Sequence, residues 1–170
     1  MNQGWLLGLK GRTLEAIQIL TEGITAWRST GTTGYAPMHL AHLMRAYADV
    51  GQFDNAWRCF DEAIALIERS KERWYEAEIY RIAGEVAWIS SKSNAAKAEA
   101  LLQRALTVAR EQQAKSWELR AAMGLARLWR DQGKRQQARD LLAPVYGWFT
   151  EGFDTLDLKE AKALLEQLRA

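Results

Sequence analysis

Few side chains in this 170-residue sequence have the types and spacing that chemistry requires. His39 and His42 are the only histidines, three positions apart, and on a helix that spacing could bring two imidazoles to one metal ion. No Cys, Asp or Glu stands with them to complete a ligand set. Packing between helices, or a bond to a backbone carbonyl, is the expected role, and no metal is expected. Cys59 is the single cysteine, so it has no intramolecular disulfide partner, and it lies in an apolar helical stretch. A small core residue in a reducing compartment is the reading that follows. As a nucleophile it could meet a histidine only through the fold, and Ser90, Ser91 and Ser116 sit in no strained G-x-S-x-G turn. Gly133-Lys134 has Leu128 where a phosphate-cradling loop needs its first glycine. No catalytic residue and no cofactor are expected.

Charge and composition narrow the partners. Lys and Arg number 23 against 21 Asp and Glu, too even a balance for the positive field that nucleic acid or an anionic membrane demands. Neither is expected as a partner. The first residues, MNQGWLLGLKGR, carry no basic segment before their short apolar run, and no stretch approaches the roughly 18 apolar residues of a membrane span. A cytoplasmic location is expected.

The elements that would position any site repeat along the chain. Aligning A16-IQIL-TEGI, A56-WRCF-DEAI, A98-EALL-QRAL and A138-RDLL-APVY needs no gaps, and the leading alanines are 40, 42 and 40 residues apart. The same offsets bring Leu20, Phe60, Leu102 and Leu142 together, then Gly23, Ala63, Ala105 and Val145. Small, large, small at this spacing is one helix face that lets a neighbouring helix approach closely. Upstream of these helices a second stripe runs through Leu40, Leu43, Met44 and Tyr47 to Gly51, and through Ala122, Leu125, Ala126 and Trp129 to Gly133. Each is an i, i+3, i+4, i+7 pattern closed by a helix-ending glycine. The unit is helix, glycine turn, helix. In the third unit, Tyr80, Ala83, Gly84 and Ala87 fit with two extra residues in the turn SSKSN.

This unit resembles the tetratricopeptide repeat, most closely in Leu40, Leu43, Met44, Tyr47, Gly51, Ala56, Phe60 and Ala63. It departs in period, 40 to 42 residues against 34 in the standard unit, and in lacking the proline that ends the second helix. A wider resemblance runs through RWYEAEIYRIAGEV and from AEALLQRALTVAREQQ to the last helix. It is to the C-terminal helical-repeat region of bacterial class III adenylate or guanylate cyclase–ATPase proteins, or of MalT-like signalling proteins. The resemblance implies an all-α fold, antiparallel helix pairs stacked as a right-handed solenoid with a C-terminal capping helix. It implies a non-catalytic protein–protein interaction scaffold or regulatory tail of a bacterial signalling system; a small-ligand-sensing repeat domain is the alternative.

One repeat domain over 1–170 is expected, with repeats at about 1–33, 34–72, 73–113 and 114–150 and a capping helix at 154–169. Nine helices are predicted, at 2–9, 12–29, 35–50, 53–70, 73–90, 95–112, 115–131, 135–149 and 155–169. Pro144 should kink the eighth, and Asp154 or Thr155 should cap the ninth, with Leu158, Ala161, Leu165 and Leu168 on its apolar side. Of the eight tryptophans, Trp74 and Trp117 hold matching places before a first helix and read as a structural wedge. Trp5, Trp88 and Trp148 are less regular and are the ones open to a binding role.

Two surfaces are expected to make contacts. Counting back from Gly11 and Ala16, the first repeat starts part-way through its first helix, which leaves Trp5, Leu6 and Leu9 without a covering repeat and predicts a homodimer through that edge. The tetratricopeptide resemblance implies a concave groove built from first helices. Its usual groove positions fall on Arg45 and Asp49, on Glu78, Arg81, Glu85 and Trp88, and on Arg120, Met123, Arg127, Arg130 and Asp131. The arginines would hold carboxylates of an acidic protein or peptide segment, because a guanidinium fork grips a carboxylate bidentately, and Trp88 would add an apolar anchor. The duller reading makes these residues solvated faces with pairs such as Arg81 and Glu85. Replacing Arg81 and Arg127 by Glu is expected to abolish binding and leave the fold intact.

Overall fold

A computed structural model describes residues 13–29 and 34–169. The expected helix at 2–9, and with it Trp5, Leu6 and Leu9 of the proposed dimer edge, lies outside the described residues. Among those described there are eight α-helices and no strand. They are α1 (Thr13–Arg28), α2 (Ala36–Asp49), α3 (Phe53–Ser70), α4 (Glu76–Ser90), α5 (Ala95–Glu111), α6 (Lys115–Asp131), α7 (Arg135–Gly147) and α8 (Leu156–Gln167). The chain is all-α, and none of these helices is long and apolar enough to cross a membrane.

Turn chemistry sets the boundaries. In the turns after α2 and α6, Gly51 and Gly133 take φ of +75° and +79°, a region other residues enter only at a cost. Gly51 N donates to Ala48 O and Gln52 N to Tyr47 O; Gly133 N donates to Arg130 O and Lys134 N to Trp129 O. This double closure is the Schellman arrangement, repeated two units apart. The turn between α4 and α5 has no glycine and instead takes a single 3-10 turn, Lys92–Asn94, which absorbs the longer SSKSN segment. After α5 the left-handed position falls to Gln113, at φ 53°.

The helix boundaries fall within two residues of the sequence expectation except at the start of α4. Helix α4 begins at Glu76 and not at 73, where the residues before it are held by other segments: Gln112 Nε2 donates to Arg73 O at 2.7 Å, and the Trp74 indole Nε1 donates to Gly34 O at 3.2 Å. Helix α7 runs through Pro144 to Gly147. Asp140, whose carbonyl loses its helical donor at that proline, is on the exposed side where water can serve it. Thr155 takes the cap position of α8, but its hydroxyl donates to Gly152 O at 2.7 Å and makes no cap bond to the helix. On α8, Leu158, Ala161, Leu164 and Leu168 are buried, and Leu165, expected among them, is half-buried.

Packing follows the repeated small residues. Ala16, Ala56, Ala98 and Ala138 are all buried, as are Leu20, Leu102 and Leu142 four positions on. Within each unit α2 packs on α3, α4 on α5 and α6 on α7; the even-numbered helices also pack on one another in order, α2 on α4, α4 on α6 and α6 on α8. The odd-numbered helices therefore stand behind a row of even-numbered ones. One core lies between α1 and α4 and another between α4 and α8, with Trp57 and Leu101 packed against both. Trp74 and Trp117 flank Tyr75 edge-on, at 5.2 and 4.9 Å between ring centroids. Both tryptophans thus wedge the junctions between units.

Candidate functional site

The row of even-numbered helices carries one long groove, with a cavity volume of about 830 Å³. Its floor is set by an unusually close helix approach. Leu102 of α5 reaches up between α4 and α6 against Gly84 and Gly124, so closely that a Cβ built on either glycine would stand 2.6 or 2.7 Å from a Leu102 carbon. Without those side chains the two helices can lie against the leucine and leave an open channel above it. Ile82, Met123 and Leu128 continue the apolar lining, while Ile89 and Leu156, 51% and 70% exposed, stand at its rim.

Above that floor runs a chain of alternating charges that crosses from α2 to α8. Arg45 donates Nε to Asp49 at 2.8 Å and Nη1 to Glu85 at 2.9 Å. Glu85 also accepts from Arg81 Nη1. Arg81 grips Glu78 with Nε and Nη2, both at 2.8 Å, and Arg120 Nη1 approaches Glu78 from α6 at 3.5 Å. Arg120 Nε then donates to Asp157 of α8 at 2.7 Å, and Arg127 Nη2 to Glu160 at 2.7 Å. The bidentate Arg81–Glu78 pair is the least exposed, with side chains 16% and 6% accessible.

The electrostatic environment follows from that pairing. Burial disfavours the charge on Arg81, but Glu85 and Glu78 overcome it and hold the guanidinium more firmly protonated than usual. Arg120 is shifted the same way: burial opposes, and Asp157 and Glu78 prevail. His42 also lines the groove. Burial, with His39 nearby, pushes its imidazole down to about 4 against an opposing pull from Glu78, so it is neutral near pH 7. Tyr75, stacked edge-on against His42 at 6.0 Å, is raised chiefly by burial.

Of the residues expected from sequence to bind, Arg45, Arg81, Glu85, Trp88, Arg120 and Arg127 all line this one groove. Arg130 does not; it sits in the last turn of α6, bonded to Asp131 and to Gln167 of α8. The expectation that Arg81 could be replaced by Glu with the fold intact fails on burial. Such a replacement would leave Glu78 and Glu85 beside a third carboxylate in a site shielded from water. Arg127, 39% exposed and paired only with Glu160, does suit a surface test. The sequence analysis singled out only the apolar side of α8 and so missed Asp157 and Glu160, whose i, i+3 spacing was the available clue.

His39 is buried, and its Nδ1 has no hydrogen-bond partner among the described residues. No group of three metal-capable side chains occurs among the described residues. Burial, with Glu62 beside it, pushes the Cys59 thiol up to about 12, far from the thiolate a nucleophile needs. Trp148 lies outside the groove, against Phe149 and with Lys115 Nζ 5.4 Å from its ring centre. No protein-family model matches this chain, and no curated protein matches it.

Proposed function

We propose that the chain is a tetratricopeptide-like right-handed solenoid, closed by α8 as its capping helix, that works as a non-catalytic interaction scaffold or regulatory module in the cytoplasm of a bacterial signalling system. Its partner is a protein segment laid in the groove of the even-numbered helices. The observation that carries the reading is the groove itself: it spans α2, α4 and α6 of three successive repeats and α8 beyond them, with apolar side chains uncovered at its rim and polar groups along its walls. An extended or helical peptide can use such a surface along its length. The wedge tryptophans and the buried thiol are accounted for by the stack.

The groove's volume also falls within the range of small-molecule sites, roughly 300 to 1,000 Å³, and that favours a second reading as a small-ligand sensor. One experiment separates the two. The full chain is used to capture partners from bacterial extract beside an Ile89→Ser, Leu156→Ser variant, and both are weighed intact by native mass spectrometry. A protein held by the wild type and lost by the variant, with the chain itself at its bare mass, supports the scaffold. A retained small molecule that the variant releases supports the sensor, and capture indifferent to the variant removes the groove from the account.

A further inference from the structure

We infer that the segment the groove takes carries lysine or arginine beside an apolar residue, and is not acidic; this rests on the reading of the groove as a peptide site. The arginine row alone suggests an acidic partner. In the folded chain, however, every arginine of the groove already holds carboxylates of the chain itself. Arg81 is spent on Glu78 and Glu85, Arg120 on Asp157 and Glu78, and Arg127 on Glu160. Helix α8 thus supplies in cis the acidic segment that the sequence leads one to seek in a partner. An incoming carboxylate would compete with tethered ones, whose effective concentration is on the order of millimolar or higher. It would also leave each displaced carboxylate beside a like charge.

A cation faces the opposite situation. The groove is lined by four arginines and five carboxylates, while the whole chain carries a net charge of +2. It is therefore a locally negative strip on a positive protein. Asp49 and Glu160 are 38% and 45% exposed, and among the described residues each accepts from one arginine. A carboxylate offers about four acceptor positions, so oxygen lone pairs remain open to solvent at both. An ammonium or guanidinium can join them without breaking any existing pair. His42, neutral near pH 7, adds no opposing charge. Beside these acceptors, Ile89 and Leu156 offer uncovered apolar surface, which a purely basic segment would leave wet.

The test is a random dodecapeptide display library panned on the full chain, followed by affinity measurements with the enriched peptides made synthetically. Enriched peptides should combine Lys or Arg with large apolar residues. Their affinity should fall about three- to tenfold in Asp49→Asn, Glu160→Gln protein, and further as salt is raised. Both substitutions are at exposed pairs, and an unchanged thermal melt confirms that the fold survives. Enrichment of acidic peptides that lose affinity in the Ile89→Ser, Leu156→Ser variant would overturn this inference and leave the peptide groove standing. Basic peptides indifferent to the carboxylate substitutions would overturn it as well. Failure to enrich any peptide over that variant would overturn the groove reading itself.

Discussion

Replacing Gly84 by alanine tests the close approach on which the groove's floor depends. A methyl group there would stand 2.6 Å from Leu102 Cγ and 3.1 Å from both Leu102 Cδ2 and the Ala98 carbonyl oxygen, where carbon contacts settle at roughly 3.5 to 4.0 Å. Cγ is the branch point of the leucine and Ala98 O is backbone, so neither can swing aside. Overpacking of this kind costs about 1–3 kcal/mol. Against it, alanine gains up to about 1 kcal/mol over glycine in a helix. The net loss is about 1–2 kcal/mol, or roughly 2–8 °C in melting temperature for a chain of this size. Gly124 is the control. Its nearest neighbour, at 2.7 Å, is the Leu102 Cδ2 methyl, with the next atoms at 3.8 and 3.9 Å. A small rotation relieves that contact, and Gly124→Ala should lie within about 1 kcal/mol of wild type. In a Leu102→Ala background, itself destabilised by about 2–5 kcal/mol, the cost of Gly84→Ala should shrink, because only the 3.1 Å approach to Ala98 O remains. Urea denaturation followed by circular dichroism measures all four variants against wild type. A Gly84→Ala protein as stable as wild type, or a cost undiminished without Leu102, would refute the reasoning.

Arg81→Leu should destabilise by about 3–5 kcal/mol, because it leaves buried Glu78 with only the 3.5 Å approach of Arg120, whereas Arg127→Ala, at an exposed pair, should cost less than about 1 kcal/mol; chemical denaturation of the two distinguishes them. Gln113→Gly should stabilise by about 0.5–1 kcal/mol, since Gln113 holds φ 53° at an exposed helix end, and a higher denaturation midpoint would show it. Acidification should weaken the fold through His42: its folded value near 4 lies below the ordinary 6.5, so between those values the unfolded chain binds the proton and the folded chain does not. Stability is retained above pH 6.5 and lost as pH falls toward 4, by up to about 3 kcal/mol, and a His42→Asn protein melted across the same range should show a flatter profile. Glu118, whose burial is outweighed by bonds from Lys115 and Arg110 and which therefore lies below its usual 4.5, adds its own loss as pH falls below about 4.5.

The helices were legible in the sequence because their signals are local. Gly51 and Gly133 end helices by the same backbone conformation wherever they stand, and the alanine register of Ala16, Ala56, Ala98 and Ala138 needs only the helical period to be seen. The groove residues became legible one step later, once the resemblance supplied which face of the first helix looks inward. What stayed hidden was pairing between distant segments. Nothing near Arg120 or Arg127 in sequence announces that Asp157 and Glu160, more than thirty residues on, will meet them. The late start of α4 was hidden as well, where Gln112 reaches Arg73 O across a neighbouring turn. Gly124 lies off the repeat pattern, and only the position of Leu102 explains it.

The central claim, a partner segment seated on the even-numbered helices, is tested most directly by amide hydrogen exchange read by mass spectrometry, with and without an enriched peptide at saturation. The account predicts slowed exchange in α2, α4, α6 and the first turn of α8, and unchanged exchange in α3, α5 and α7. Protection confined to the odd-numbered helices, or to the exposed aromatic segment around Trp148 and Phe153, would contradict it.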